Sequence, residues 1–393
     1  MKKILKNDAV QSLIASLLCI ILGLLIGYIV LLFINPAGAW DAILAVLKNF
    51  LKTANHARRV KLLGATLVRT APLLMCGLSV LFAYKVGLFN IGVAGQYVAG
   101  VCASLYAALA WHWGWLPCML FAIVAAAALG AIVGVLKSYC NVNEVISGIM
   151  LNWISLYSTN MILTKYKEEA SHYTLYLSKE APQAILPGAG LDKLLGYDKV
   201  TIAIPLAVLI AIAVYIVLNR TKFGYELRAT GNNKNAAKYA GMAEKRNIIL
   251  TLVIAGGLAG LGGAMLYLTD IERWSVTQTS VPGMGFNGIA ATFLGGLNPI
   301  GTIFSSFFIQ HITDGGPNVD TTHYCAQISD LISSIIIYLC GFVLFLKTAI
   351  NRGIARSEER QAQKEKEVVA AQPAPQEVPG PKEVSADEKG GEK

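Results

Sequence analysis

Nowhere in the 393 residues does a lysine follow a glycine, which excludes the G-x-x-x-x-G-K-[ST] loop that cradles nucleotide phosphates. H-E-x-x-H and G-x-S-x-G are absent too, so neither a helical zinc protease nor a nucleophile elbow is encoded. The seven cysteines, at 19, 76, 102, 118, 140, 325 and 340, form no C-x-x-C pair and fall mostly in apolar runs, as small packing residues do. Charge is scarce, at 15% of residues, and carboxylates are missing from the middles of the apolar runs. An ion-gradient transporter, the alternative reading, would usually carry an intramembrane Asp, Glu or His relay there. What the chain has instead is 55% apolar residues gathered in several runs of about 20, the length that crosses a bilayer as a helix. The expected fold is an all-α, polytopic transmembrane bundle. The net charge of +9 calls for no nucleic acid, because basic loops and a charged tail account for most of it.

In chain order, the basic start Met1 to Asp8 precedes Ala9 to Ile34, an apolar run longer than the h-region of a secretory signal. Ala37-Gly38-Ala39 offers a signal-peptidase-like site, but the length favours an uncleaved first span that starts inside. Asp41 to Leu63 is expected outside, although Lys48, Lys52, Arg58, Arg59 and Lys61 run against the positive-inside trend. Further spans are read over Gly64–Val86, Phe89–Trp111, Leu116–Leu136, Val145–Leu163, Val200–Leu218 and Ile248–Leu268, toward a total of about 8–10. Arg69 is expected to snorkel to the outer headgroups, and Trp111, Trp113 and Trp115 to form an aromatic belt. Glu144 reads as an acid on a helix N-terminus or as a partner contact. The stretch 165–199 is the largest external loop.

From Gly285 to His311 the apolar run is broken by Gly295-Gly296-Leu297-Asn298-Pro299, which reads as two half-helices. With Lys347, Arg352 and Arg356 inside, this segment enters and leaves by the outer face; if it crosses, the tail lies outside. His311, Asp314, Asp320 and His323 have a spacing that suits a metal, although loop polarity explains them as well, and no metal site is assigned. Residues 1–350 form the expected membrane domain. Residues 351–393 are the expected cytoplasmic tail, and from Gln361 onward they have too few apolar residues to bury a core and are expected to be disordered.

Residues 220–247 hold the densest charge next to apolar runs, with Arg220, Lys222, Arg228, Lys234, Lys238, Lys245 and Arg246 against Glu226 and Glu244. By the positive-inside rule this loop is cytoplasmic. Asn232 and Asn233 are helix starts, Lys234 to Ala240 a short run of helix formers, and Gly241 a left-handed stop. On charge alone the loop is a topogenic signal.

A matched pair of Gly-interrupted apolar segments is the best sequence pointer to a translocation path, because irregular backbone at membrane depth survives only against protein or water. Such a pair is present: Gly87-Leu88-Phe89-Asn90-Ile91-Gly92-Val93-Ala94-Gly95-Gln96 and Gly283-Met284-Gly285-Phe286-Asn287-Gly288-Ile289-Ala290. Read blandly, Gly and Ala let helices pack closely and each Asn caps a helix. Asn152, near the middle of its span, reads equally well as an interhelical hydrogen bond and as a path-lining amide.

These two stretches, Asn143 to Asn152 (NEVISGIMLN) and the loop pattern from Phe223-Gly224 through Leu227-Arg228-Ala229, Gly231-Asn232, Asn235-Ala236-Ala237 and Ala240-Gly241 resemble signature stretches of ABC transporter permeases of the branched-chain amino acid, ribose and simple sugar family. The nucleoside-uptake branch is the nearest in pattern, and the resemblance covers most of Gly64 to Leu346. It implies a permease subunit, not an enzyme, of an importer in the cell membrane of a bacterium, with no cofactor of its own because a separate cytosolic subunit binds ATP. It implies that this ATPase docks at Gly224, Arg228, Gly231, Asn232, Asn235, Ala236 and Gly241. A second permease completes the pore, and an extracytoplasmic solute-binding lipoprotein delivers the solute. The path residues it implies are Phe89, Asn90, Gly92, Gln96, Asn152, Phe286 and Asn287. The nucleoside branch usually carries an acid where Ala94 stands, an Asp where Asn287 stands and a basic residue near Gly296. The amides at Asn90, Gln96 and Asn287 that remain suit a small neutral polar solute, a nucleoside or simple sugar.

Overall fold

The computed structural model describes residues 8–316, 319, 324 and 328–342, and a few further positions as far as 363. The chain divides into two compact units, Met1–Lys347 and Thr348–Lys393. The tail expected beyond Gln361 lies outside the described residues except at position 363.

The first unit is helical, and among the described residues the only strand-like pairings are two isolated bridges in the outer loops. Its helices are α1 Asp8–Ile34, α2 Ala39–Lys48, α3 His56–Tyr84, α4 Val93–Ala110, α5 Trp115–Cys140, α6 Glu144–Leu163, α7 Leu177–Glu180, α8 Leu191–Leu195, α9 Ala203–Arg220, α10 Lys222–Asn232, α11 Lys234–Tyr239, α12 Glu244–Tyr267, α13 Gly283–Leu294, α14 Pro299–Gly315 and α15 Ile328–Cys340. Among the described residues, six helices are long and apolar enough to cross a membrane: α1 from Ile14, α3, α4, α5, α9 and α12.

The bundle is centred on α12, which is apolar all round and carries a run of glycines on the faces it turns to its neighbours. Gly256 and Gly260 lie against Ala122 and Ala126 of α5, Gly262 against Pro72 and Met75 of α3, and Gly263 against Tyr97 and Val101 of α4. In hydrocarbon, helices gain nothing from hiding one apolar face from another, so association relies on van der Waals contact, and small residues bring the backbones close enough for it. The most apolar windows of α3 and α4 are accordingly 83% buried, against 22% for α1, which lies at the edge.

Two sequence expectations change here. The helix of the second span starts at His56, eight residues before Gly64, because the Asn55 side chain accepts from Ala57 N and Arg58 N and caps it there. This takes Arg58, Arg59 and Lys61 into a helix. Arg69 does not simply reach for headgroups: its Nε lies 3.4 Å from Glu272 and its guanidinium 3.5 Å from Asp314, which ties α3 to α14 and to the loop after α12. Glu144 stands in the first turn of α6, as the first of its two readings had it, and is also held by Lys137 at 2.7 Å across the turn between α5 and α6.

The loop 165–199 is folded rather than merely polar. Asp270 accepts from the backbone N–H of Leu177 at 3.1 Å and pairs with Lys199 at 3.5 Å, while Arg273 pairs with Glu168 at 2.9 Å. Trp274 is fully buried beneath it and donates its indole N–H to Asn160 at 2.9 Å.

The broken segment is re-entrant. After Trp274 the chain runs down beside α6, where Asn160 donates to Gln278 O at 2.8 Å, and Gly285 meets Ala94 near the start of α4. α13 then crosses to Phe293, whose ring packs edge-on to Tyr84 at 5.4 Å. The turn at Gly295–Asn298 follows, Asn298 caps α14 by accepting from Ile300 N, and α14 climbs to place His311 beside Leu47 and Asn49 of the outer segment. Of the two alternatives open in the sequence, the segment therefore enters and leaves on the face opposite the basic loop. α15 runs antiparallel to α1, from the bond of Tyr324 Oη to Asn35 O to that of Cys19 Sγ to Leu339 O, and returns to the side where α1 begins.

Close packing gives a direct test. A Cβ added at Gly130 would overlap the Leu252 carbonyl of α12, whereas one at Gly283 meets nothing. Gly130→Ala is expected to cost about 1–3 kcal/mol, the usual penalty of overpacking, and Gly283→Ala close to none, in detergent melting experiments.

Candidate functional site at the two broken segments

Between α3 and α4 the chain leaves helical geometry over Lys85–Gly92. Gly87 takes φ +74°, a left-handed bend that costs glycine nothing. Backbone groups freed in this way at membrane depth have no water to turn to, so protein must satisfy them. Turns of the linker itself meet part of this need, with Leu88 N donating to Ala83 O and Gly87 N to Tyr84 O, and Asn152 of α6 meets the rest at the start of α4. Its Oδ1 accepts from Gly95 N at 2.7 Å and its Nδ2 donates to Ile91 O at 3.1 Å, so one amide holds both sides of the α4 start. Asn90 donates from Nδ2 to Ser79 Oγ at 3.1 Å and to Gln96 Oε1 at 2.8 Å. Gly92 and Gly148 touch backbone to backbone, and a Cβ on Gly148 would sit 2.7 Å from Gly92 N.

Of the candidate path residues, Asn90, Gly92, Gln96 and Asn152 thus meet in one buried joint, with the three side chains only 2–3% exposed. Gln96 Nε2 is buried there without a hydrogen-bond partner. Phe89 and Asn287 are half-buried and Phe286 is 39% exposed. They lie on the two chain segments brought together where Gly285 packs on Ala94. Ser79 and Thr292 belong to the same framework, Thr292 Oγ1 donating to Gly77 O at 2.7 Å. Lone hydroxyls in apolar runs gave no sequence signal for either.

The basic loop forms two helices, α10 and α11. The short helix expected over Lys234–Ala240 is α11. Asn233 Oδ1 caps it by accepting from Ala236 N at 3.0 Å, and Gly241 follows at φ +78°. α10 is new relative to the sequence reading, and Asn232 ends it rather than starting a helix. Its glycines are seats for backbone contact: Gly224 lies on the carbonyls of Val217 and Leu218, and Gly231 on Lys85 and Val86. Thr221 caps α10 through Gly224 N, and Thr230 accepts from Asn247 Nδ2 at 3.0 Å, which fastens the helix to α12. Asn232, Asn235, Ala236 and Gly241 are exposed, as is Tyr239 at 93%, whereas Gly224 is buried and Arg228 and Gly231 are partly buried.

Among the described residues no group of three His, Cys, Asp or Glu could hold a metal. His311 Nε2 is bound to Leu47 O and Asp314 accepts from Gln310, while Asp320 and His323 lie outside the described residues.

Residues 62–341 match the family described as branched-chain amino acid transport system / permease component. The chain belongs to this family. It is 32% identical over 338 residues to the guanosine ABC transporter permease protein NupP of Bacillus subtilis (strain 168), covering 83% of this chain and 92% of NupP. It is 29% identical over 377 residues to the nucleoside ABC transporter permease protein NupB of Lactococcus lactis subsp. cremoris (strain MG1363), covering 92% of this chain and 100% of NupB. A second B. subtilis protein, the guanosine ABC transporter permease protein NupQ, is 27% identical over 265 residues, covering 62% of this chain and 78% of NupQ. No solved structure matches. The protein is thus a multi-pass ABC transporter permease, a transport component and not an enzyme.

Fastening of the permease's basic loop is testable at Thr230, which is fully buried. Thr230→Val keeps the shape and strands the Asn247 amide, an expected loss of about 1–3 kcal/mol in thermal unfolding, the cost of a buried donor left unpaired.

Proposed function

We propose that this chain is one of two permease subunits of an importer that carries a small neutral polar solute, a nucleoside in the first instance, driven by a separate cytosolic ATPase. The observation that carries the proposal is the pairing of a nearly full-length likeness to nucleoside permeases with a capped, basic, solvent-facing helix, α11, at the end of the bundle where an ATPase would bind. NupP and NupQ, two guanosine permeases of one organism, both resemble this chain, which supports a pore built from two unlike permeases.

In this reading residues 220–247 face the cytosol, as the positive-inside rule requires, and both ends of the bundle's first unit lie on that side. The folded outer loop 165–199 and the Trp274 segment then meet an extracytoplasmic solute-binding lipoprotein. The exposed Asn232, Asn235, Ala236, Tyr239 and Gly241 form the ATPase contact. Phe89, Phe286 and Asn287 flank the path. Asn152 and Gly92 hold the backbone that shapes it, and Asn90 and Gln96 brace each other beside them. Phenyl rings suit the face of a base and an amide suits its edge, and no charge is needed for either.

The test is reconstitution of the permease with its ATPase, the second permease and the binding protein in proteoliposomes. Uptake of labelled guanosine is expected to need ATP and to fall with excess purine nucleoside but not with leucine. Tyr239→Ala is expected to weaken co-purification of the ATPase. ATP hydrolysis by the purified chain alone, or uptake that survives ATP depletion and collapses with an ionophore, contradicts the proposal.

A further inference from the structure

The basic loop is joined covalently to two helices, α9 through Thr221 and α12 through residues 240–243, and neither is one of the broken segments. A third, non-covalent joint leads there. Gly231, in the last turn of α10, lies on the bend after α3: a Cβ on it would sit 2.7 Å from the Val86 carbonyl carbon, 2.8 Å from Val86 Cα and 2.9 Å from Lys85 O. From the other side, a Cβ on Gly87 would sit 3.1 Å from Gly231 O. This is backbone on backbone, with no side chain between that a change of rotamer could use to absorb a displacement. The Thr230–Asn247 bond keeps that turn of α10 seated.

Beyond the bend the contacts continue without a gap. Ile91 O and Gly95 N are both held by Asn152 of α6, Gly92 rests on Gly148, and Ala94 meets Gly285 at the start of α13. The Lys85–Gly92 linker is therefore clamped between α10 on one side and α6 and α13 on the other.

We infer that the Gly231–Gly87 contact is the mechanical relay of this permease, passing movement of α10 into the α3–α4 linker and from there to both broken segments. Gly231, Gly87 and Gly148 are positioning residues in this account and touch no solute. The inference rests on the reading that α10 and α11 receive an ATPase subunit, and it adds the route by which that subunit's work reaches the path.

The experiment measures solute taken up per ATP hydrolysed by the full complex in proteoliposomes, together with co-purification of the ATPase and thermal melting of each variant. Gly231→Ala pushes α10 off the bend and is expected to lower uptake per ATP about tenfold in complexes that retain the ATPase, within the usual span of coupling between sites. Gly87→Asn is the gentler variant, because asparagine tolerates the left-handed conformation and the contact is strained by only a few tenths of an ångström. It is expected to lower uptake per ATP by about threefold. If Gly231→Ala does not fold, Gly87→Asn decides. A wild-type ratio of uptake to hydrolysis in a folded variant overturns the relay and leaves the importer reading intact. A wild-type complex whose uptake is indifferent to ATP overturns both.

Discussion

A peptide group that leaves helical pairing inside a bilayer has no solvent to bind, so every departure from helix at membrane depth must be matched by a polar group from the protein. In this permease turns of the linker meet part of the requirement, and a few buried side chains complete it and brace the joint. Asn152 satisfies Gly95 N and Ile91 O, Asn90 joins Ser79 to Gln96, and Thr292 reaches Gly77 O. The interruption that makes a transport path possible, and the bend that meets the basic loop, both depend on these bonds.

Around this joint the bundle is held by proximity rather than by polarity. The glycines of α12 let three helices approach to backbone distance, and Gly100, Gly130 and Gly134 on α4 and α5 answer them from the other side. Packing of this kind is stiff, since the contact atoms are main chain. The loops on the two faces differ. The face opposite the basic loop is laced by ion pairs among Arg69, Glu272, Asp314, Asp270, Lys199, Arg273 and Glu168, whereas the basic face presents α11 to solvent.

Much of this was legible in the sequence because it rests on local chemistry. Asn233 and Gly241 mark both ends of α11 by capping rules that need no tertiary context, and the repeated Phe-Asn with nearby Gly marks both broken segments. What escaped was set by distant partners. Arg69 finds Glu272 and Asp314 more than 200 residues away, and nothing in its own span announces them. Gly224 and Gly231 look like loop residues, yet sit inside a helix because each is pressed on another backbone. Asn90, Gln96 and Asn152 were readable as polar and central. That Asn152 turns inward to hold main chain and Asn90 and Gln96 to hold each other, while Phe89, Phe286 and Asn287 keep some exposure, is decided by how three helices meet.

The central claim is that the Asn152 amide replaces the missing helical partners at the start of α4. Residue-resolved amide exchange of the permease in bilayer nanodiscs tests it at Gly95. The account predicts that Gly95 N–H exchanges as slowly as amides in the middle of α12. Exchange as fast as that of the outer loop around Gly190 would contradict it.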